Sequence, residues 1–234
     1  MSSVINRLKN GTIEIKLTIP WSVIDASYNK QVEKAVAETE IPGFRKGKAP
    51  KETVIPKLDK PNLMSNALSE ILPQMYSEEV TYHHLKPILY PQIKIDKGQT
   101  GTDWEFTALT CEAPEVVIPD YKNEIPKLPA GENKLQTVIG FLQKNSRVSV
   151  PDLLVEEESN HRLAGLAENL TQLGLDIPKY LQTKKMSTED LKVQTARTAR
   201  LDLEIELILN KIRENEKLPD RSKTLDFLQN LLKN

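Results

Sequence analysis

The chain has 234 residues, with 32 Lys and Arg against 33 Asp and Glu, for a formal net charge of −1. That balance excludes a global polyanion-binding field, so any nucleic-acid contact has to be a local patch. The lone Cys111 excludes an internal disulfide, no apolar run approaches the ~20 residues of a membrane span, and the N-terminus leads into no apolar signal segment, so a cytoplasmic chain is expected. Aromatic residues make up 5% of the chain and charged residues 28%, which points to a helix-rich protein with a wide solvated surface.

Residues 12–20 alternate, with Ile13, Ile15, Leu17 and Ile19 on one face, which predicts a half-buried strand ended by Pro20. Val4, Asn6 and Leu8 ahead of Asn10-Gly11 suggest a preceding strand and a hairpin. Ser22 and Asp25 form a capping pattern for a helix to about Thr39, with Ile24, Tyr28, Val32, Ala35 and Val36 at helical spacing. Two further helices are expected from about Lys51 to Leu58 and from Asn62 to His83, the latter with an apolar stripe from Leu63 to Met75 and a kink at Pro73. Residues 88–96 and 102–111 read as strands, with Trp104, Phe106 and Ala108 on one face. Residues 1–112 therefore predict an α+β domain, an antiparallel sheet with packed helices.

Residues 113–131 hold four prolines and Gly131 and read as a semi-stiff linker. From residue 132 to 234 the pattern is helical throughout. Pro151 suits the first turn of a long helix whose Leu154, Leu163, Leu166, Leu170 and Leu173 fall near one face. A short helix around Ile177 to Thr183 leads to Ser187-Thr188-Glu189-Asp190, an N-cap for the next long helix. Within that helix residues 200–207 alternate with period two, but the absence of Gly or Pro from Ser187 to Leu218 favours helix over strand. Leu201, Leu203, Ile205, Leu207, Ile208 and Ile212 then cover much of its circumference, which predicts either burial among neighbours or an apolar surface shown to another polypeptide. A last amphipathic helix carries Leu225, Leu228, Leu231 and Leu232.

Little in the chain reads as catalytic or metal-binding. His83 and His84 are adjacent and point to different sides of a helix, His161 lacks metalloprotease spacing, and Cys111 reads as a small buried apolar residue. The informative stretch is Ile41-Pro42-Gly43-Phe44-Arg45-Lys46-Gly47-Lys48-Ala49-Pro50. Two prolines fix φ at its ends and two glycines permit sharp turns, so Phe44, Arg45, Lys46 and Lys48 should face outward, with Lys51 following at once. A phosphate-binding GxxxxGK[ST] loop is excluded: the spacing is one residue short, Ala49 stands where a hydroxyl is needed, and no strand leads in.

Residues Gly43 to Pro50 resemble the ribosome-docking signature of trigger factors, bacterial chaperones that meet nascent chains at the exit tunnel. The order of elements over residues 1–112 resembles that family's ribosome-binding domain, and residues 132–234 resemble its helical substrate-holding part. The resemblance implies an ATP-independent chaperone whose Gly43, Phe44, Arg45, Lys46, Gly47, Lys48 and Lys51 contact a ribosomal protein and adjacent RNA. It further implies that Leu201, Leu203, Ile205, Leu207, Ile208 and Ile212 meet unfolded or nascent clients, and that the chain can self-associate as a homodimer. Full trigger factors carry a peptidyl-prolyl isomerase domain between these parts, whereas here Tyr121 to Gly131 leads straight into the first helix. A reduced form is expected, without isomerase activity, cofactor, metal or membrane contact. Two other readings stand beside it: an RNA-binding ribosome-assembly factor, and a dimeric holdase acting away from the ribosome.

Overall fold

The computed structural model describes residues 3–129 and 133–232. Ala130, Gly131 and Glu132, where the expected linker gives way to the helical part, lie outside the described residues. By its internal contacts the chain divides into two units, one of Met1–Leu8 and Ile13–Glu112, the other of Lys9–Thr12 and Ala113–Asn234.

The first unit is α+β, as the alternation of residues 12–20 predicts. Strands β1 (Ser3–Arg7), β2 (Thr12–Ile19), β3 (Gln92–Lys97) and β4 (Trp104–Cys111) form one sheet in the order β1-β2-β4-β3, and the β1–β2 and β3–β4 pairs are antiparallel. One sheet face carries Ile13, Ile15, Leu17 and Ile19 with Trp104, Phe106 and Ala108. It packs against Ile24 of helix α1 (Trp21–Glu38) and Leu68 and Ile71 of helix α3 (Lys60–Tyr82). Fully burying each large apolar side chain contributes roughly 1.5–3 kcal/mol, so this layer dominates the stability of the unit. Between the two helices lies the short helix α2 (Lys51–Val54), continued by a 3-10 turn over Ile55–Lys57.

Local details depart from the sequence reading where a distant group intervenes. Helix α1 starts one residue before Ser22, and neither Ser22 nor Asp25 caps it. The Trp21 N–H instead donates to Asp103 Oδ1 at 3.0 Å, 82 residues away in sequence. Strand β3 begins at Gln92 rather than at residue 88, because Pro91 has no N–H for the ladder. Helix α3 continues through Pro73 without a break. At the end of β4, Glu112 accepts from the Lys86 backbone N–H at 2.8 Å and from Arg7 Nη1 at 2.7 Å; these bonds hold its carboxyl below the usual carboxylate range.

The second unit is helical apart from one small sheet. Helices α4 (Tyr121–Glu124), α5 (Lys134–Asn145), α6 (Asp152–Gln172), α7 (Ile177–Lys184), α8 (Thr188–Glu216) and α9 (Arg221–Leu231) accompany two-residue strands β5 (Val116–Val117) and β6 (Arg147–Val148), which pair antiparallel. The capping box at the start of α8 is present, with the Asp190 N–H donating to Ser187 Oγ at 3.0 Å and the Ser187 N–H to Asp190 Oδ2 at 2.9 Å. Pro151 is the cap residue of α6 and not part of its first turn. The apolar stripe expected there ends early: Leu173 follows the helix, is 74% exposed, and precedes the terminating Gly174, while Leu153, Val155 and Ser159 are buried instead.

Residues 113–129 are not a free linker. Tyr121 and Ile125 are buried in a core with Val138 and Leu142 of α5, Ile208, Leu209 and Ile212 of α8, and Leu228 of α9. The Tyr121 hydroxyl donates to Glu216 Oε1 at 2.5 Å, and Lys122 Nζ lies 2.8 Å from the same oxygen. Proline-rich composition says that a segment is stiff, but it is silent on whether an aromatic side chain finds a core. Burial first, then the Glu216 charge, raise the Tyr121 pKa well above its ordinary value near 10; the bonds from Lys122 and Tyr121 lower that of Glu216 below 4.5. Tyr121 is neutral in both states below pH 10, so its contribution is intact there. It is lost as the pH rises beyond 10, where only the unfolded tyrosine ionises readily. Glu216 contributes above about pH 4.5 and loses its contribution as the pH falls further. Tyr121→Phe is expected to cost about 1.5–3 kcal/mol at neutral pH, the range for a hydrogen bond to a charged group, and to flatten the alkaline fall in stability. Urea unfolding of both chains at pH 7 and pH 10.5 measures this.

Candidate functional site: a basic loop clamped at both ends

The loop between α1 and α2 is two successive tight turns. The Phe44 N–H donates to the Ile41 carbonyl at 3.0 Å and the Lys48 N–H to the Arg45 carbonyl at 2.9 Å. In each turn the third residue is a glycine with positive φ, Gly43 at +89° and Gly47 at +71°, the arrangement of type II turns, with Pro42 at the second position of the first. Two glycines and a proline therefore set the backbone path of the basic loop.

An apolar cluster holds its feet. Ile41 on the entering side and Val54 of α2 are buried with Val36 of α1, and Val32, Ala49, Ile55 and Leu58 pack against them. Gly47 runs so close to the end of α1 that a Cβ there would stand 2.7 Å from the Ala37 carbonyl oxygen. Lys51 Nζ lies 3.2 Å from Glu33 Oε1 on α1, an exposed pair worth at most ~1 kcal/mol. Its charge is thus directed toward α1, while the other cations of the loop are not so engaged.

Phe44 is 47% exposed, and Arg45, Lys46 and Lys48 are exposed with no side-chain hydrogen bond or ion pair among the described residues. An aromatic face beside three unpaired cations can contact an apolar protein surface and phosphate oxygens together. The clamp residues Val36, Ile41 and Val54, and the Ala37 carbonyl, were not singled out by the motif itself. Their signal in the sequence is Ile41 directly before Pro42, and Val32 and Val36 one turn apart on α1.

The other candidate residues are scattered. On α8, Ile208 and Ile212 are 2% and 0% exposed and belong to the core, which corrects their assignment to a client surface. Leu203 and Leu207 pack against Val150, Val155 and Ala199, and Ile205 packs against the core of α5 and α9. Only Leu201 of that set is openly exposed, at 45%. Cys111 is fully buried, and burial pushes its thiol pKa up. His83 follows the last residue of helix α3 as its C-cap, with its ring 3.4 Å from Glu79, and His161 is exposed on α6. No group of three or more His, Cys, Asp and Glu capable of holding a metal occurs among the described residues, and no described helix is long and apolar enough to cross a membrane.

Gly47→Ala combines a left-handed backbone with a collision against a main-chain oxygen, so it is expected to cost about 1–3 kcal/mol locally and to shift the loop. At Gly43 a Cβ meets open space, so Gly43→Ala carries the backbone penalty alone, roughly 1–2 kcal/mol. Amide hydrogen exchange across 41–50 is the measurement, with faster exchange expected in the Gly47 variant than in the Gly43 variant.

Two models of one family match the chain: "Bacterial trigger factor protein (TF)" over residues 1–138 and "Bacterial trigger factor protein (TF) C-terminus" over residues 129–223. The matches overlap at residues 129–138, so the chain passes from one to the other with no segment between them. The trigger factor of Corynebacterium aurimucosum is 28% identical over 138 residues, covering 59% of this chain and 31% of that protein. That of Rhodococcus opacus is 31% identical over 121 residues, covering 52% and 26%. That of Mycolicibacterium smegmatis is 24% identical over 246 residues, covering 94% and 52%. The chain thus spans between about a quarter and a half of the length of these relatives. A solved chain from "Promiscuous Substrate Recognition in Folding and Assembly Activities of the Trigger Factor Chaperone" overlaps 60% of this chain and 33% of its own, with 21% identity and a TM-score of 0.38, too low for any argument to rest on. With one family model covering well over half of its residues, and a second continuing where the first ends, the chain belongs to the bacterial trigger factor family.

Proposed function

We propose that the chain is an ATP-independent cytoplasmic chaperone that docks at the ribosomal exit tunnel through residues 43–48. The observation that carries the reading is the clamped loop: Phe44, Arg45, Lys46 and Lys48 are exposed and unpaired, while Val36, Ile41 and Val54 are buried beneath them. A loop with its feet fixed loses little conformational freedom on binding, so more of the contact energy survives as affinity. Phe44 meets a ribosomal protein and the cations meet RNA phosphates nearby, with a salt dependence set by about three phosphate contacts.

Docking raises the local concentration of weak client-binding surface beside an emerging chain. In the helical unit that surface is smaller than the periodicity of α8 suggests. Among the described residues its exposed large apolar side chains are Val193 and Leu201 on α8, Leu173 and Leu175 around the turn after α6, and Val117 on β5. Binding and release are passive, driven by burial of apolar client segments and by their own folding.

Ribosome co-sedimentation tests the docking role. The intact chain is expected to pellet with ribosomes and to be released as salt rises, while a folded Phe44→Ala, Arg45→Ala, Lys46→Ala variant stays in the supernatant. Equal pelleting of both chains would reduce the loop to a connector. Because the two family matches adjoin, the intact chain is further expected to leave the cis–trans rate of a prolyl test peptide at its uncatalysed value; a measured acceleration would overturn the non-enzymatic reading.

A further inference from the structure

A cleft of about 530 Å³ lies in the helical unit, between α8, the end of α5 and the ribbon of β5 and β6. Ser146 ends α5 in an extended conformation, so the chain passes at once into β6. Val116 and Val148 pack on the core, and Val117 and Arg147, the next pair in register, therefore share the outer face of the ribbon. On α8, Ile208 is 2% exposed, and Glu204 stands one turn before it, half-buried. The cleft thus has an apolar floor and charges of both signs on its walls. Those charges are unmatched. Along α8, Arg200 pairs with Asp152, Asp202 with Arg162 and Glu206 with Arg221, whereas Glu204 has no side-chain partner among the described residues. Arg147 and Glu115 line the same cleft, exposed and equally unpaired among the described residues. Ser146 gives its N–H to the Leu142 carbonyl at 2.9 Å. Its hydroxyl oxygen is the one buried side-chain polar atom of this unit without a partner among the described residues. A half-buried carboxylate and a buried hydroxyl both carry a loss of hydration that a bound polar group offsets.

We propose that this cleft binds a small zwitterion of the α-amino-acid type with an apolar side chain. The ammonium sits against Glu204, with Ser146 and Gln143 as neutral hydrogen-bond partners. The carboxylate meets the Arg147 guanidinium, whose parallel N–H groups donate to both of its oxygens. The hydrocarbon side chain lies over Ile208 and Val117. A simple anion meets repulsion from Glu204 and Glu115, and a simple cation meets it from Arg147. A ligand that carries both charges satisfies each wall. Glu115 is more exposed than Glu204 and adds a weaker, salt-screened attraction for the ammonium. An extended polypeptide has no charged termini along its length, so this site is distinct from a client surface. Binding here requires neither the ribosome nor the loop at residues 43–48. The β5–β6 ribbon also fastens the segment that enters the helical unit, so occupancy stabilises that unit.

Isothermal titration calorimetry of the full chain with L-leucine tests the assignment. Two controls accompany it: L-leucinamide, which lacks the carboxylate, and N-acetyl-L-leucine, which lacks the ammonium. L-Leucine is expected to bind saturably, and each derivative roughly tenfold more weakly or worse, the loss of one charge-assisted contact. Glu204→Gln, a change of charge at constant shape, should weaken L-leucine by about tenfold and leave N-acetyl-L-leucine as it was. Arg147→Gln, at an exposed position, should weaken L-leucine likewise and leave L-leucinamide as it was. The urea midpoint of the natural chain should rise with added L-leucine, and that of Glu204→Gln should rise less. No saturable heat together with an unmoved midpoint would sink the assignment. So would derivatives that bind as well as L-leucine, or variants, folded by circular dichroism, that bind it as the natural chain does.

Discussion

Arg45, Lys46, Lys48 and Lys51 crowd four positive charges into seven residues, and such a segment resists any compact shape unless its ends are fixed by something other than charge. The cluster of Val36, Ile41 and Val54 supplies that constraint in the first unit. It depends on α1 being held at its other end by the sheet core around Ile15, Ile24 and Phe106, so the loop's presentation is continuous with the packing of the whole unit. The 2.7 Å approach that Gly47 permits against the Ala37 carbonyl leaves the loop little room to slide along the helix. Lys51 turns to Glu33 of α1, whereas Arg45, Lys46 and Lys48 do no structural work in this arrangement and for that reason remain free to meet a partner.

The helical unit solves a different problem. Helix α8 is apolar around most of its circumference between residues 201 and 212, which no single neighbour could cover. Four neighbours share the task. Ile208, Leu209 and Ile212 pack with α5, α9 and Tyr121, while Ala199, Leu203 and Leu207 pack with the start of α6. Ion pairs line the α6–α8 seam, where Arg162 bridges Glu158 at 2.6 Å and Asp202 at 2.7 Å, and Arg200 pairs with Asp152. What stays open, chiefly Leu201 and Val193, is a small apolar area on a polar helix surface, suited to weak and reversible contacts.

Tyr121 shows how a segment with the composition of a spacer becomes part of a core. Its ring is buried edge-on against Phe227 and its hydroxyl donates to the Glu216 carboxylate, which Lys122 also pairs. Directly ahead of it Val116–Val117 pairs with Arg147–Val148. The segment that enters the helical unit is therefore fastened by backbone hydrogen bonds and by a buried side chain, and the prolines around these anchors lower the entropy that the fastening must overcome.

By itself the sequence determined the elements whose signal is local. The period-two run of Ile13 to Ile19 could only be a half-buried strand, the Ser187–Asp190 box could only open a helix, and Pro42, Gly43 and Gly47 prescribed the turns that present Phe44, Arg45 and Lys46. The loop at residues 43–48 was legible for the same reason, since its chemistry lies in consecutive residues. Tertiary structure alone decided which apolar faces stay open and which polar groups find partners. Ile208 and Leu201 lie on one helix with similar side chains, and their opposite fates depend on α5 and α9, separate elements that pack against only one side of it. Asp103 rather than Ser22 serves the start of α1, Glu33 takes Lys51, and Ile95 is left uncovered at the sheet edge. Each of these outcomes depends on groups brought together by the fold over tens of residues, and periodicity, which reads only neighbours, carries no information about them.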